Sequence, residues 1–356
     1  MRRKIAFGPA AAVGVALALA AVVVAAQEAP ARLTNARVQP RSVPSGLEQA
    51  FNSLVSAQQQ PAWVAYSVPA IPGDRRSCDA SEGSRGVVRL EPTGGGAPAR
   101  ARVSLEGPSE ILVFFRAEEG RVRKIRPISP DCDIDAGGLP VHWLTRVNPA
   151  ESVALLSSFV GEDRRARDDN PGRGALTSIA LHRDQAAGAA LRRFVGAGQP
   201  RELRKQAAFW LAAARGGEGF QVLRQLLGDK DPAFRADLAF PIFVSKEAEA
   251  GGILVRMARE DESAEVRRQA LFWLGQKAGA EALGTLAGAV ENDPDTGVKK
   301  RAVFALAQLP KDEGVPRLME IARSHRNIEV RRQAMFWLGQ SNDPRALKFF
   351  EEILTK

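Results

Sequence analysis

The chain has 356 residues, 45% hydrophobic and 26% charged, with 32 Gly and 22 Pro. This globular composition excludes a collagenous or wholly disordered polymer and has room for two or three domains. Two cysteines and three histidines are a poor stock for a structural zinc site or a disulfide-dense scaffold, so no metal and no cofactor is expected. The formal net charge is +9, but acids accompany bases along both halves. A nucleic-acid binder concentrates its bases on one surface, so no nucleic-acid partner is expected.

In chain order, Arg2, Arg3 and Lys4 precede an apolar run from Ile5 to Ala26 that ends Val24-Ala25-Ala26. A basic end, an apolar stretch and small residues at the cleavage position make the secretory pattern. It predicts a signal peptide over 1–26, cleaved before Gln27, a periplasmic or secreted location, and no membrane span in the mature chain. The run is also long enough for an uncleaved anchor, a reading that Pro9, Gly14 and the many alanines weaken. Residues 27–46 carry Pro30, Pro40 and Pro44 without a hydrophobic period and read as a linker.

Residues 47–147 read as a small, antiparallel, β-rich α+β domain. A helix is expected over Leu47–Ala57, then strands at 62–68, 86–90, 101–105, 111–116 and 122–128, the last two joined through Glu118-Glu119-Gly120 as a hairpin. Cys78 and Cys132 lie in loop-like contexts of a chain that reads as exported. A structural disulfide is the economical pairing, since no C-x-x-C spacing marks a redox pair. The alternating carboxylates Asp131, Asp133 and Asp135 fail as a calcium loop, with Ala136 and His142 where Gly and Glu belong; they read as a turn accepting backbone N–H groups. His142 reads as a semi-buried, satisfied side chain.

From 148 the period changes. Asn148-Pro149-Ala150-Glu151 is a helix start, with Asn at the N-cap and Pro in the first turn. After a loop over 161–173, one degenerate unit spans about 175–198. From about 199 five segments align without gaps, and Phe209, Phe240, Phe272, Phe304 and Phe336 share one column at spacings of 31, 32, 32 and 32. Each unit has two helical segments, the first apolar all round in its second half, so only stacked pairs bury it. The fold class is therefore mainly α, an α-solenoid over 148–356 preceded by the β-rich domain. The Phe column is expected in the core, and Pro241 is expected to kink or end its helix.

The Val-Arg-Arg-Gln-Ala…Phe-Trp-Leu-Gly-Gln unit resembles a HEAT repeat, of the short HEAT-like type named after phycobilisome lyases, over about 175–356. The resemblance implies a ladder in which Asp229, Asp261 and Asp293 meet Arg235, Arg267 and Lys299 along the stack. The last unit departs, with His325 in the Asp position before Arg331.

No G-x-S-x-G, H-E-x-x-H or Walker loop is present, and no His-Glu pair that would bind iron. Trp210, Trp273 and Trp337 share a column that fits either core packing or a partner-receiving groove. The adjacent bases either cap turns and pair with Asp or form a basic ridge for an acidic partner. Candidate partner-binding residues are Arg267, Arg268, Trp273, Lys299, Lys300, Arg331, Arg332 and Trp337. The expected function is a non-catalytic, exported scaffold that binds a protein partner along the repeats. The alternative is an enzyme, or a lyase-like enzyme accessory, with a site between the two domains.

Overall fold

The computed structural model describes residues 32–43, 46–72, 78, 87–91, 109–161, 170–277 and 280–355. The expected signal peptide and the strand-like run 101–105 lie outside the described residues. The first half comprises β1 (Leu33–Thr34), β2 (Arg37–Ser42), α1 (Leu47–Ala57), β3 (Ala62–Pro69), β4 (Val87–Arg89), β5 (Glu110–Glu118), β6 (Arg121–Ile128), β7 (Asp133–Asp135) and β8 (Pro140–Thr145). They build a five-stranded sheet, β2-β8-β3-β5-β6, and a three-stranded sheet, β1-β7-β4.

The hairpin β5–β6 turns through Glu119 (φ 53°) and Gly120 (φ 70°), both in the left-handed region that a tight two-residue turn needs. A register shift between Arg116 and Ala117 leaves Arg123 opposite no residue. This bulge is why Val122 and Ile125, three positions apart, are both buried.

Two expectations need correction. The large sheet is mixed, because β8 runs parallel to both β2 and β3, and the small sheet is parallel throughout. The supposed linker supplies β1 and β2. Every side chain of β2 is exposed, as an edge strand allows, so its backbone pairing leaves no hydrophobic period to read.

Both faces of the large sheet are covered. Val64, Tyr66, Val68, Val113 and Phe115 face the helices, whereas Trp63, Ala65, Phe114, Val141 and Trp143 pack with Val88, Ile134 and Cys132 on the small-sheet side. The Cys78–Cys132 disulfide, with Cα atoms 5.7 Å apart, fastens that outer layer.

The helical half begins with α2 (Pro149–Phe159), capped by Asn148 Oδ1, which accepts the Ala150 N–H at 2.9 Å. Glu151 does not close a capping box. Its Oε2 instead accepts the Leu47 N–H at 2.9 Å and caps α1, whose own N-cap is Gly46. Next come α3 (Pro171–Leu181), starting inside the expected loop, and α4 (Gln185–Phe194). A Cβ on Gly174 of α3 would lie 2.0 Å from the Ile125 carbonyl oxygen, so only glycine lets this helix seat on β6. The Ile71 N–H donates to the Leu181 carbonyl and the Arg183 N–H to the Pro69 carbonyl, each at 2.9 Å. One hydrophobic cluster runs from Val43 to Phe349 without a gap at residue 148.

Five repeats follow: α5 (Arg201–Ala214) with α6 (Gly216–Leu226); α7 (Pro232–Asp237) and α8 (Ala239–Val244) with α9 (Ala250–Glu260); α10 (Ala264–Gly275) with α11 (Ala280–Asn292); α12 (Thr296–Gln308) with α13 (Lys311–Ser324); and α14 (Ile328–Gln340) with α15 (Pro344–Leu354). Pro241 does break its helix. The interruption falls at Leu238, beside the carbonyl that the proline ring would strike, and Pro241 sits in the first turn of α8, where no N–H is required. Helices α5, α8, α10, α12 and α14 lie closer to one another than α9, α11 and α13 do, so the stack curves with this row inside. A Cβ on Gly275 would come within 2.7 Å of Ala305 Cβ, which fixes the close approach of α10 to α12. No helix among the described residues is long and apolar enough to cross a membrane.

Candidate partner-binding surface

In the first three of the five repeats an arginine near the start of the first helical segment, Arg204, Arg235 or Arg267, reaches forward to an aspartate of the next repeat. Arg235 donates to its own turn, at the Asp229 carbonyl (2.8 Å), and to the next turn, at both Asp261 carboxylate oxygens (2.9 and 2.8 Å). Arg267 repeats this with the Asp261 carbonyl (2.9 Å) and Asp293 (2.7 and 3.0 Å), and Arg204 pairs forward with Asp229. The carboxylates also accept the N–H two residues on, Asp231, Ser263 and Asp295, each at 2.9 Å. Burial opposes ionisation of Asp261, but the hydrogen bonds from Arg235 and the Ser263 N–H outweigh it and hold its carboxyl below the usual range.

The ladder thus takes residues out of the candidate ridge. Arg267 and Lys299 are buried, and the Lys299 ammonium donates to the Val290 and Glu291 carbonyls at 2.7 and 2.6 Å. Arg331 donates to the His325 carbonyl at 2.6 Å. These three build the stack rather than face a partner. Their neighbours point outward: Arg268 and Lys300 are half-buried and Arg332 is exposed.

The Phe column is a second correction, because it does not lie in the core. Phe336 is 55% and Phe240 37% exposed, and Phe209, Phe272 and Phe304 are half-buried. The core positions of α10 are Val266, Ala270, Leu271 and Leu274. Close helix approach selects the small Ala270 for the interior and turns Phe272 outward.

Together the Phe and Trp columns form an unbroken row of rings along the inside of the stack. Ring centroids are 5.1 Å apart for Trp210–Phe209, 5.7 Å for Phe209–Phe240, 4.7 Å for Phe240–Trp273 and 4.8 Å for Trp273–Phe272. The row continues at 6.0 Å for Phe272–Phe304, 5.0 Å for Phe304–Trp337 and 5.0 Å for Trp337–Phe336. Trp210, Trp273 and Trp337 contact the core with one edge and remain half-buried. Arg301 lies over both Phe272 (5.6 Å) and Phe304 (5.7 Å).

Charge and amide groups flank the rings in register. One turn before the phenylalanine on the same helix face stand Lys205, Arg268, Lys300 and Arg332; one turn after it stand Gln276, Gln308 and Gln340. Arg268 pairs with Glu265 (2.5 Å) and Lys300 with Glu329 (3.5 Å). Arg301 and Arg332 have no ion-pair partner among the described residues. At the end of the row Trp337, Gln308, Gln340 and Ser341 line a cavity of about 200 Å³, and Trp337 Nε1 is buried without an acceptor. The glutamine column was not singled out from the sequence, although its 32-residue period was visible there.

The other sequence-marked groups do not converge. His142, on β8, is fully buried; Gln58 Nε2 donates to its Nε2 at 3.2 Å, and its Nδ1 has no partner, so it is only half satisfied. Asp133 and Asp135 form strand β7 rather than a solvated turn. Asp135 is buried and its Oδ1 accepts the Gly137 N–H (2.9 Å) and the Asn35 amide (3.0 Å). A chain that sequence reasoning missed lies where sheet meets helices: Tyr66 Oη is 2.7 Å from Ser152 Oγ, which is 2.8 Å from His182 Nε2, while His182 Nδ1 donates to the Ser178 carbonyl at 2.7 Å. Tyr66, Ser152 and His182 are all fully buried. Burial holds the His182 imidazolium down to a pKa of about 4 and pushes the Tyr66 phenol up.

A family model of HEAT repeats matches residues 253–313 and 285–356. These residues are HEAT repeats. No curated protein matches the chain. Among solved structures, the complex of CpcE and CpcF of phycocyanin lyase from Nostoc sp. is similar at 24% identity and a TM-score of 0.34, over 43% of this chain and 99% of that one. Human deoxyhypusine hydroxylase is similar at 18% identity and a TM-score of 0.26, over 57% of this chain and 77% of that one. A designed armadillo repeat protein is similar at 21% identity and a TM-score of 0.29, over 55% of this chain and 100% of that one. The HEAT units belong to the helical array whose inner helices carry the aromatic row.

Proposed function

We propose that this protein is an exported, non-catalytic interaction scaffold that binds a protein partner along the inside of its HEAT stack. The observation that carries the reading is the continuous ring row, because large apolar side chains left half-exposed across five repeats contribute contact area to a partner. Arg268, Lys300, Arg301 and Arg332 beside the rings supply steering toward an acidic surface. The leader-like segment and the Cys78–Cys132 bridge support export to an oxidising compartment. The Tyr66, Ser152 and His182 chain between the two halves is sealed from solvent, so it reaches no substrate and serves packing.

The test is affinity capture from the native envelope with wild-type protein and with the combined Arg268→Gln, Lys300→Gln, Arg332→Gln variant, across a salt series. The expected result is capture that weakens with salt in the wild type and is lost in the variant at unchanged melting temperature. Equal capture by both proteins would remove the inner row as the binding face. Substrate turnover abolished by a histidine substitution would replace the scaffold reading with an enzyme.

A further inference from the structure

A repeat inside the stack has both of its sides covered, but α14 and α15 have no helical pair stacked beyond them among the described residues. A terminal repeat normally turns a polar face outward. This one does not. Leu347 and Leu354 are 63% and 84% exposed, whereas Val315 and Ala322, in the same columns one repeat earlier, are 3% and 7% exposed. Leu347, Phe350 and Leu354 follow at helical spacing on one face of α15. Leu347 and Phe350 line an open groove with Leu338, Gly339 and Ala346. The matching groove one repeat earlier, between Leu306, Ala307, Gly314, Val315 and Leu318, is closed by Trp337 and Gln340 of the following helix. Gly339 itself stands in the column of Gly275. A Cβ on Gly275 would come within 2.7 Å of the next inner helix, whereas one on Gly339 meets nothing within 4 Å.

The charges at this end are incomplete in the same way. Arg235, Arg267 and Arg331 each donate through Nη1 to a carbonyl of their own turn. In Arg235 and Arg267, Nε and Nη2 hold the forward aspartate; in Arg331 these two groups have no acceptor among the described residues. The open end is thus one half of the joint between repeats. Its occupant has to bring a large apolar side chain for the groove and a carboxylate for Arg331. Another chain cannot bring the start of its stack, because α3 is seated there on β6, with Gly174 against the Ile125 carbonyl. It can bring its own open end, which carries both parts: Leu347 stands out from α15, and Glu351, one turn further along the same face, is exposed without an ion pair among the described residues.

We infer that two copies of this chain join end to end through α14 and α15 as a closed two-fold dimer. A two-fold axis along the helices lays α14 of each copy over α15 of the other and keeps every residue at its own height. The two helices are then antiparallel, as α14 already is to α13 within one chain. Leu347 of each copy enters the groove of the other, beside Gly339 and Phe350. Arg331, at the start of α14, meets Glu351 near the end of the second copy's α15, and symmetry forms the same pair a second time. The sheet domain covers the far end of each stack, so assembly stops at two. This inference goes beyond the scaffold reading and does not depend on it.

The experiment is sedimentation equilibrium of the full chain, with melting temperatures recorded alongside. Compared with it are Leu347→Glu, Glu351→Arg, and the charge-swapped variant carrying Arg331→Glu with Glu351→Arg. The wild type is expected to dimerise with a dissociation constant at or below about 10 µM. Leu347→Glu and Glu351→Arg should each raise it at least about tenfold without moving the melting temperature, since both side chains are exposed. The swapped variant restores the ion pair in both halves of the dimer and should recover most of the affinity that Glu351→Arg alone loses. A chain that is monomeric at about 100 µM overturns the proposal, as does assembly that continues past two copies. Unchanged affinity in both single variants places the contact elsewhere and overturns it too. A folded swapped variant that recovers nothing refutes the Arg331–Glu351 register and with it the two-fold arrangement; if the swap unfolds the chain, the two single variants decide.

Discussion

His325 Nδ1 accepts the backbone N–H of Asn327 at 3.1 Å, the same bond that Asp229, Asp261 and Asp293 make to the residue two positions on. Its Nε2 donates to the Val290 carbonyl at 3.1 Å, which Lys299 also reaches. An imidazole thus replaces the ladder carboxylate as turn acceptor, and the cation of the preceding helix turns to backbone carbonyls. His325→Ala should cost about 1–3 kcal/mol, the range for stranding buried donors and acceptors. His325→Asp restores the acceptor and should cost less, and adding Lys299→Arg should recover the forward ion pair with a positive coupling. A double-mutant cycle by thermal or urea denaturation measures this.

The buried His182 makes stability depend on pH in a defined window. Above pH 6.5 the imidazole is neutral in both folded and unfolded chains and there is no pH dependence from this group. Between 6.5 and about 4 the unfolded chain takes up a proton that the folded chain refuses, so stability falls as the pH falls, by about 3 kcal/mol in total. Urea midpoints measured from pH 7.5 to 4 should show the slope. His182→Gln, which does not titrate, should flatten it even if that variant is less stable throughout.

Core and surface phenylalanines should separate cleanly. Phe234 is fully buried with the Arg204 guanidinium 3.6 Å from its ring centre, and Phe234→Ala should cost about 3–5 kcal/mol. Phe336, 55% exposed, should cost about 1 kcal/mol or less on truncation, the usual range for a surface position. Chemical denaturation of the two variants decides whether the column faces out.

Glycines offer a test of how the sheet joins the solenoid. Gly174→Ala drives a methyl group into the Ile125 carbonyl, whereas a Cβ on Gly284 or Gly339 meets nothing within 4 Å. The first substitution should destabilise by several kcal/mol through overpacking, and the other two should be neutral or stabilising, because alanine is the better helix former. Loss of sheet and helix signals in a single transition for Gly174→Ala would match the continuous core across residue 148.

Much of the helical half was legible because its core recurs. Val266, Ala270 and Leu274 keep their places every 32 residues, and the Asn148 cap and Pro241 break act through local backbone chemistry that any single segment displays. The direction of Phe272 was not legible. It sits between Leu271 and Trp273 in a stretch apolar on every side, and which ring turns inward depends on how closely α12 approaches at Gly275, a fact of the neighbouring repeat. The sheet was harder still. Parallel pairing of β8 with β2 and β3 joins residues 103 and 78 positions apart, and the exposed side chains of β2 carry no trace of the backbone bonds they flank. Of the proposed inner-face surface, Arg268, Lys300, Arg332, Trp273 and Trp337 were singled out from the sequence. Separating them from Arg267, Lys299 and Arg331 took knowledge of which neighbour in each pair of bases reaches back into the stack.

The forward reach of Arg204, Arg235 and Arg267 gives the array a grammar. Each unit opens a contact that its successor closes, and the successor is recognised by an aspartate set 25 or 26 positions downstream. Excising or duplicating an internal block of 32 residues preserves that reading frame of charges, so no buried guanidinium is left without its carboxylate. A cut out of step with the repeats orphans one. The number of rungs on the inner face is thus free to change in whole steps while the joint between them stays the same, and an aromatic row of this kind can be lengthened or shortened by gene rearrangement with no redesign of its core.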